Sequence, residues 1–116
     1  MFLQLNHQKL DVFVVGKFFT LECYRFTKQL PSEEKFNMVQ QIRRAALSVH
    51  LNIAEGSSRK SDAERKRHYE IARGSVIEID TAIGIAYKLS YADLEQLQPL
   101  GGIIIKTFKI LSGMIK

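Results

Sequence analysis

QIRRAALSVHLNIAEG, residues 41–56, is the stretch on which the predicted fold depends. Apolar residues recur in it and just before it at alternating steps of three and four, which places them on one face of a helix. They are Val39, Ile42, Ala46, Val49 and Ile53. We predict that Ser32 caps the start of this helix and that Gly56 ends it in the left-handed conformation. Its small residues allow a second helix to approach closely.

Three more helices are predicted around this one. The four ranges are residues 9–29, 33–56, 62–89 and 92–115, joined by short turns. Ser61 and Glu64 form a capping-box pattern at the start of the third helix. In the fourth helix, Pro99 with Gly101 and Gly102 is expected to bend or interrupt the helix, because proline removes a backbone hydrogen bond.

The first helix carries two apolar stripes, more than one face of a helical bundle requires. One stripe is Val12, Val15, Phe19, Cys23, Phe26 and Leu30, and the other is Leu10, Val14, Phe18 and Leu21. The second stripe, together with Leu47 and Leu51 off the main seam of the second helix, suggests a surface that another subunit covers.

These patterns predict one all-α domain over residues 1–116, an up-down-up-down four-helix bundle without any strand. Antiparallel pairing should bring residue 74 level with residue 43, so that Gly74 and Ser75 pack against the small residues of the second helix. The predicted core comprises Val15, Phe19, Ile42, Ala46, Val49, Ile53, Ala72, Val76, Ile79, Ile83, Phe108 and Leu111.

Composition excludes several classes of function. The single cysteine excludes an internal disulfide framework, and no Cys/His cluster with zinc spacing is present. The N-terminus lacks a basic segment of the signal-peptide type, and no apolar run approaches the roughly 20 residues of a membrane span. We therefore expect a cytoplasmic protein that binds no metal and no organic cofactor and does not associate with membranes.

The net charge of +5 is concentrated in one part of the chain. Residues 43–73 hold eight basic and four acidic residues, whereas residues 74–98 hold one basic and four acidic residues. Within the first of these ranges, five bases lie around the turn between the second and third helices, where a helix dipole adds positive potential. We predict that they bind the phosphates of RNA or DNA. They are Arg59, Lys60, Arg65, Lys66 and Arg67.

Three motifs resemble those of a known family. They read QIRRAALS at residues 41–48, NIAEG at 52–56 and IARGS at 71–75. Across residues 21–97 the chain resembles the small four-helix-bundle proteins encoded within intervening sequences of bacterial 23S ribosomal RNA genes, the S23 family. Relatives of that family include the accessory protein of diversity-generating retroelements, a basic pentameric bundle that binds nucleic acid and reverse transcriptase. Two departures are His50, where the family usually has proline, and the Pro99 region.

The resemblance implies a homo-oligomer, a ring of five, which binds nucleic acid and which could also hold a protein partner such as a polymerase. A protein-interaction module is therefore an alternative to nucleic-acid binding. Arg43, Arg44 and Arg73 are secondary candidates for phosphate contact. Arg43 and Arg44 could instead pair with carboxylates of a neighbouring helix, such as those of Glu70, Glu78 or Asp80.

A catalytic site is the remaining alternative. Arg44 and His50 lie six residues apart, which resembles the arginine–histidine spacing of some helical ribonucleases, but the residue after the arginine is Ala45 rather than a polar one. Asn52 and Glu55 are expected to fix the end of the second helix rather than to bind a ligand. We therefore predict no catalytic residues and no enzymatic activity.

Overall fold

The computed structural model describes the whole chain, residues 1–116, and contains four α-helices and no strand. The helices are α1 (Asp11–Thr27), α2 (Met38–Ser57), α3 (Asp62–Lys88) and α4 (Leu94–Ile115), with short 3₁₀ helices at Asn6–Lys9 and Ser32–Glu34. Each helix packs against the next along the chain, and α4 closes the bundle against α1. The predicted all-α four-helix bundle is confirmed. None of the helices is long and apolar enough to cross a membrane.

The core follows the predicted helical seams. The first stripe of α1 is buried throughout, and the seam of α3, from Tyr69 to Ala86, is equally enclosed. Of the predicted core residues, only Phe108 is misplaced, because 37% of its surface is exposed. Its ring lies at the surface between α3 and α4, with the guanidinium carbon of Arg73 at 5.9 Å from the ring centre.

The start of α2 differs from the prediction. Ser32 does not cap it, since the chain forms a 3₁₀ helix there and α2 begins at Met38. Glu34 takes over this role: its carboxylate accepts hydrogen bonds from the backbone N–H of Met38, at 3.4 Å, and from the Tyr91 hydroxyl, at 2.8 Å. The bond to Tyr91 joins the α1–α2 connection to the chain just before α4.

The other predicted helix signals have mixed outcomes. Ser61 caps α3 by accepting from the backbone N–H of Glu64 at 3.0 Å, but the reciprocal bond of a capping box is absent. A complete capping box begins α4 instead, formed by Asp93 and Gln96. Of the two effects expected at Pro99, a bend or an interruption, the interruption does not occur, because α4 is continuous from Leu94 to Ile115.

The predicted register between α2 and α3 is also wrong. The hydroxyls of Ser48 and Ser75 are hydrogen-bonded at 3.0 Å, so residue 74 lies near the level of residue 49 and not of residue 43. Gly74 is exposed, and no atom of a neighbouring helix lies within 4 Å of the place where its Cβ would be. The close approach occurs at Gly56, where α3 crosses α2 at His68 and Tyr69 and sets the register.

Candidate nucleic-acid interface

The turn between α2 and α3 is held by close packing on its inner side. Gly56 is the last buried residue of α2, and a Cβ added there would lie 2.8 Å from the Cβ of His68 and 3.2 Å from the Tyr69 ring. The Tyr69 hydroxyl is hydrogen-bonded to that of Ser57 at 2.8 Å. Gly56 thus permits the approach of α3 by lacking a side chain. Its predicted left-handed conformation is wrong, since no glycine in the chain has a positive φ.

Arg65 holds the outer side of the same turn. Its Nη1 donates hydrogen bonds to the carbonyl oxygens of Arg59 and Lys60, at 2.9 and 2.8 Å. Another guanidinium nitrogen lies 3.6 Å from a carboxylate oxygen of Asp62. These carbonyls follow the end of α2 and have no helical partner, so the planar guanidinium supplies one for both. Arg65 therefore has a structural role in the turn.

The other four bases of the predicted site differ in their ion pairing. Arg59 lies 3.7 Å from the carboxylate of Glu55, and Lys66 lies 3.1 Å from that of Asp62. Lys60 and Arg67 are exposed and form no ion pair. The structure thus brings all five bases to one end of the bundle. We refer to Arg59, Lys60, Arg65, Lys66 and Arg67 as the basic turn.

Two of the three secondary candidates have partners within the bundle. The Nε of Arg43 donates to the Thr27 hydroxyl at 2.8 Å, and its guanidinium carbon lies 4.7 Å from the centre of the Tyr24 ring. Arg73 donates to the Ser112 hydroxyl at 3.2 Å. Neither Arg43 nor Arg44 pairs with a carboxylate, so the alternative of ion pairs to Glu70, Glu78 or Asp80 is wrong. Arg44 is exposed and unpaired, on an open groove along α2 of about 520 Å³.

Sequence reasoning missed a row of hydrogen bonds beside this groove. The side-chain amide of Asn52 donates to the carbonyl and hydroxyl oxygens of Ser48, at 2.9 and 3.2 Å. Its carbonyl oxygen lies 3.0 Å from Nδ1 of His68, which is also 3.8 Å from the Glu55 carboxylate. Asn52 thus links α2 to α3. The four-residue spacing of Ser48 and Asn52 was the available signal, because such residues share a helix face.

Arg44 and His50 do not converge on one site. Arg44 is exposed, whereas His50 is half-buried with its ring centre 4.5 Å from that of Phe13. The Nδ1 atom of His50 is buried and has no hydrogen-bond partner. Burial, and secondarily the charge of Lys17, lowers the pKa of His50 from 6.5. A general base must reach its substrate, and this buried nitrogen is poorly placed to do so.

Clusters suited to a metal ion are absent, since nowhere do three His, Cys, Asp or Glu side chains converge. Cys23 lies in the core, where burial, with a smaller contribution from Glu22, raises the pKa of its thiol to about 12.

Comparison with known proteins agrees with this architecture. A search of functionally curated proteins gave no match. A solved structure from Bacteroides thetaiotaomicron, described as a protein with unknown function from the S23 ribosomal protein family, has 25% sequence identity and a TM-score of 0.81. That similarity covers 90% of this chain and 94% of the other. Residues 8–113 match the sequence profile of the 23S rRNA-intervening sequence proteins. The chain therefore belongs to the 23S rRNA-intervening sequence protein family.

Proposed function

We propose that this protein is a non-enzymatic, homo-oligomeric bundle that binds RNA or DNA through phosphate contacts of the basic turn. The observation that supports this most directly is the state of Lys60 and Arg67, which are exposed without ion pairs next to three bases fixed by neighbouring groups. Phosphate contact needs positive charge at suitable positions, whereas reading a base needs groups directed to its edge. The turn supplies charge, so we expect little sequence selectivity.

The distribution of charge over the bundle supports this proposal. α1 begins and α4 ends at the end of the bundle that carries the basic turn, so Lys9 and Lys116 lie at the same end. At the opposite end, the acidic side chains of Glu33, Glu34, Asp93 and Glu95 offset three lysines. A polyanion is therefore attracted to one end of the molecule.

Base stacking is not part of the proposed binding. Tyr69 is the only Phe, Tyr or Trp in residues 57–73, and its ring is buried with its hydroxyl bonded to that of Ser57. Proteins that bind single strands without selectivity usually present aromatic rings on which bases stack. Structured RNA, duplex DNA and single strands should consequently all bind through their backbones.

Self-association is the second component of the proposal. The four residues of the second α1 stripe are 42–60% exposed, and Leu47 and Leu51 are 44% and 56% exposed. Contiguous exposed apolar surface of this kind marks interfaces. We propose a ring, for which the family resemblance implies five subunits. Several basic turns would then bind one polyanion at once, which raises the affinity above that of a single subunit through multivalency. The protein would act in the cytoplasm without a metal or organic cofactor.

The test is a binding titration at several salt concentrations, on structured RNA, duplex DNA and single strands. Each phosphate neutralised adds about −0.7 to −0.9 to the slope of log affinity against log salt. The double variant Lys60→Ala/Arg67→Ala should flatten this slope and weaken all three ligands alike. Arg65 is left intact because it holds the turn carbonyls.

The matched control is Lys28→Ala/Lys88→Ala, which removes the same charge from the opposite end of the bundle. We expect its salt slope to stay close to that of the wild type. If both double variants change the slope equally, the basic turn is not the binding site. If RNA is cleaved by the wild type but not by His50→Ala, the ribonuclease alternative replaces the non-enzymatic proposal.

A protein-interaction module is the second candidate. The observation that favours it is an apolar groove between α3 and α4, of about 350 Å³, in which Ile77 and Ile105 are at least half exposed. A polymerase or another protein could be held there. Absence of nucleic-acid binding at low salt, where electrostatic attraction is strongest, would favour this function over the first.

A further inference from the structure

One outer surface of α1 is an exposed apolar strip between two unpaired charges. We call Leu10, Val14, Phe18 and Leu21 the α1 face. Phe18 protrudes most, with 60% of its surface exposed. Lys17 and Asp11 flank the strip, and neither forms an ion pair. An exposed apolar strip of this length is unfavourable in water unless another surface covers it.

A complementary surface lies between α3 and α4. This α3/α4 groove has a volume of about 350 Å³, and five of its seven lining residues are hydrophobic. The other two are Asp80, from α3, and Lys109, from α4, and both lack an ion-pair partner. The residues lining the groove are Val76, Ile77, Asp80, Ile104, Ile105, Phe108 and Lys109.

We propose that the α1 face of one copy docks into the α3/α4 groove of a second copy. This inference rests on the self-association proposed above and specifies its interface. The groove is large enough for the ring of Phe18, and docking would remove apolar surface of both copies from water. Each surface also carries one acid and one base, so Lys17 can face Asp80 while Asp11 faces Lys109.

The groove along α2 is a poorer partner for the α1 face. Only two of its six lining residues, Leu47 and Leu51, are hydrophobic. Its charged residues are Arg44, which is unpaired, and Glu55, whose carboxylate already lies 3.7 Å from Arg59. The apolar match therefore favours the α3/α4 groove, in which five of seven lining residues are hydrophobic.

The positions of the two surfaces make the contact head-to-tail. α1 packs against α2 and α4, so it lies diagonally opposite α3. The α1 face and the α3/α4 groove consequently point in different directions, and each subunit has both surfaces available for neighbours. Repetition of such a contact gives a closed ring if the rotation closes, and an open filament if it does not.

Two single variants and their mixture test this interface by light scattering. Phe18→Asp removes the α1 face and Ile105→Asp blocks the groove, so each variant alone should have the mass of a monomer. An equimolar mixture should form a one-to-one dimer and nothing larger, since one intact face meets one intact groove. Leu94→Asp, at an exposed leucine outside every surface proposed for self-association, should keep the wild-type mass.

The outcomes separate this inference from the proposal beneath it. A monomeric wild type would contradict self-association itself. A wild type that assembles while both variants keep its mass, or variants whose mixture stays monomeric, would overturn the interface alone. If one of these variants fails to fold, an exchange of charges tests the interface instead. Lys17→Asp should weaken assembly several-fold, and adding Asp80→Lys to that variant should restore assembly. If Asp80→Lys weakens assembly further, the proposed pairing is wrong.

Discussion

At the residue scale, Gly56 and Gly74 show that two glycines of one bundle can have opposite roles. At Gly56 the neighbouring helix lies so close that a Cβ would meet a Cβ, a ring carbon and a backbone oxygen within 2.8–3.3 Å. At Gly74 no such atom lies within 4 Å. The first glycine is required by packing, whereas the second only lowers the helical propensity of α3.

We therefore predict opposite signs for Gly56→Ala and Gly74→Ala. Overpacking at Gly56 should lower the free energy of unfolding by about 1–3 kcal/mol, because the contacts include backbone that cannot move freely. Gly74→Ala should raise it by up to about 1 kcal/mol through helical propensity. Urea unfolding followed by circular dichroism measures both. If both substitutions stabilise the protein, the close crossing of α2 and α3 is not as described.

His50 combines a buried polar atom with a lowered pKa. Its Nδ1 has no partner, and burial followed by the charge of Lys17 disfavours the protonated ring. The folded protein therefore binds this proton more weakly than the unfolded chain does. This difference in proton binding contributes to the free energy of unfolding. The contribution is fully present above pH 6.5, the ordinary pKa of histidine, and is lost as the pH falls towards the lower pKa of the folded state.

The expected consequence is a free energy of unfolding that decreases as the pH is lowered from about 7 to 5. In His50→Leu this decrease should be shallower, because the group that takes up the proton on unfolding is gone. Urea unfolding of both proteins across this range gives the comparison. If the free energy of unfolding depends on pH equally in the two proteins, His50 is not the group responsible for the decrease.

At the element scale, α4 continues through Pro99, although proline removes one backbone hydrogen bond. Pro99 is the sixth residue of α4, beyond the first turn, whose N–H groups lack helical partners in any case. It is exposed, so its ring contributes little packing. The helix is maintained by the buried side chains on its inner face, including Leu97, Leu100 and Ile104. Packing has overridden local propensity here.

Pro99→Ala should therefore stabilise the protein, by about 1–3 kcal/mol, because alanine restores the N–H and favours the helix. Thermal unfolding followed by circular dichroism would show a higher midpoint. Gln98→Ala, at the exposed neighbouring position, should change the stability by less than about 0.5 kcal/mol. A loss of stability in Pro99→Ala would mean that the proline ring makes a contact that α4 requires.

At the scale of the whole molecule, what could be predicted from the sequence depends on how local each feature is. Helical seams repeat every few residues, so the four helices, their order and nearly all of the core were predicted. The register of α2 against α3 depends on the Gly56 crossing, and the start of α2 depends on Tyr91, which is 57 residues from Glu34. Such contacts cannot be read from a local pattern.

The candidate interface follows the same rule. The topology implied by the sequence places the five bases at one end of the bundle, and the structure agrees. The sequence does not show which of these bases are held by other groups. In the structure, Arg65 donates to carbonyl oxygens five and six residues earlier, whereas Arg67 is exposed. That these bases contact nucleic acid stays a prediction. The structure additionally shows which of these side chains make no contact that holds the turn and can therefore be substituted without disturbing it.

The burial of Cys23 gives the molecule a chemical reporter of its own opening. It is the only cysteine, it is fully enclosed, and its pKa of about 12 against an ordinary 9.0 makes the reactive thiolate about a thousandfold rarer than in the unfolded chain. Alkylation should therefore occur only in molecules that have opened. Where reclosing is faster than alkylation, the modification rate follows the free energy of opening, which is thus measured without denaturant.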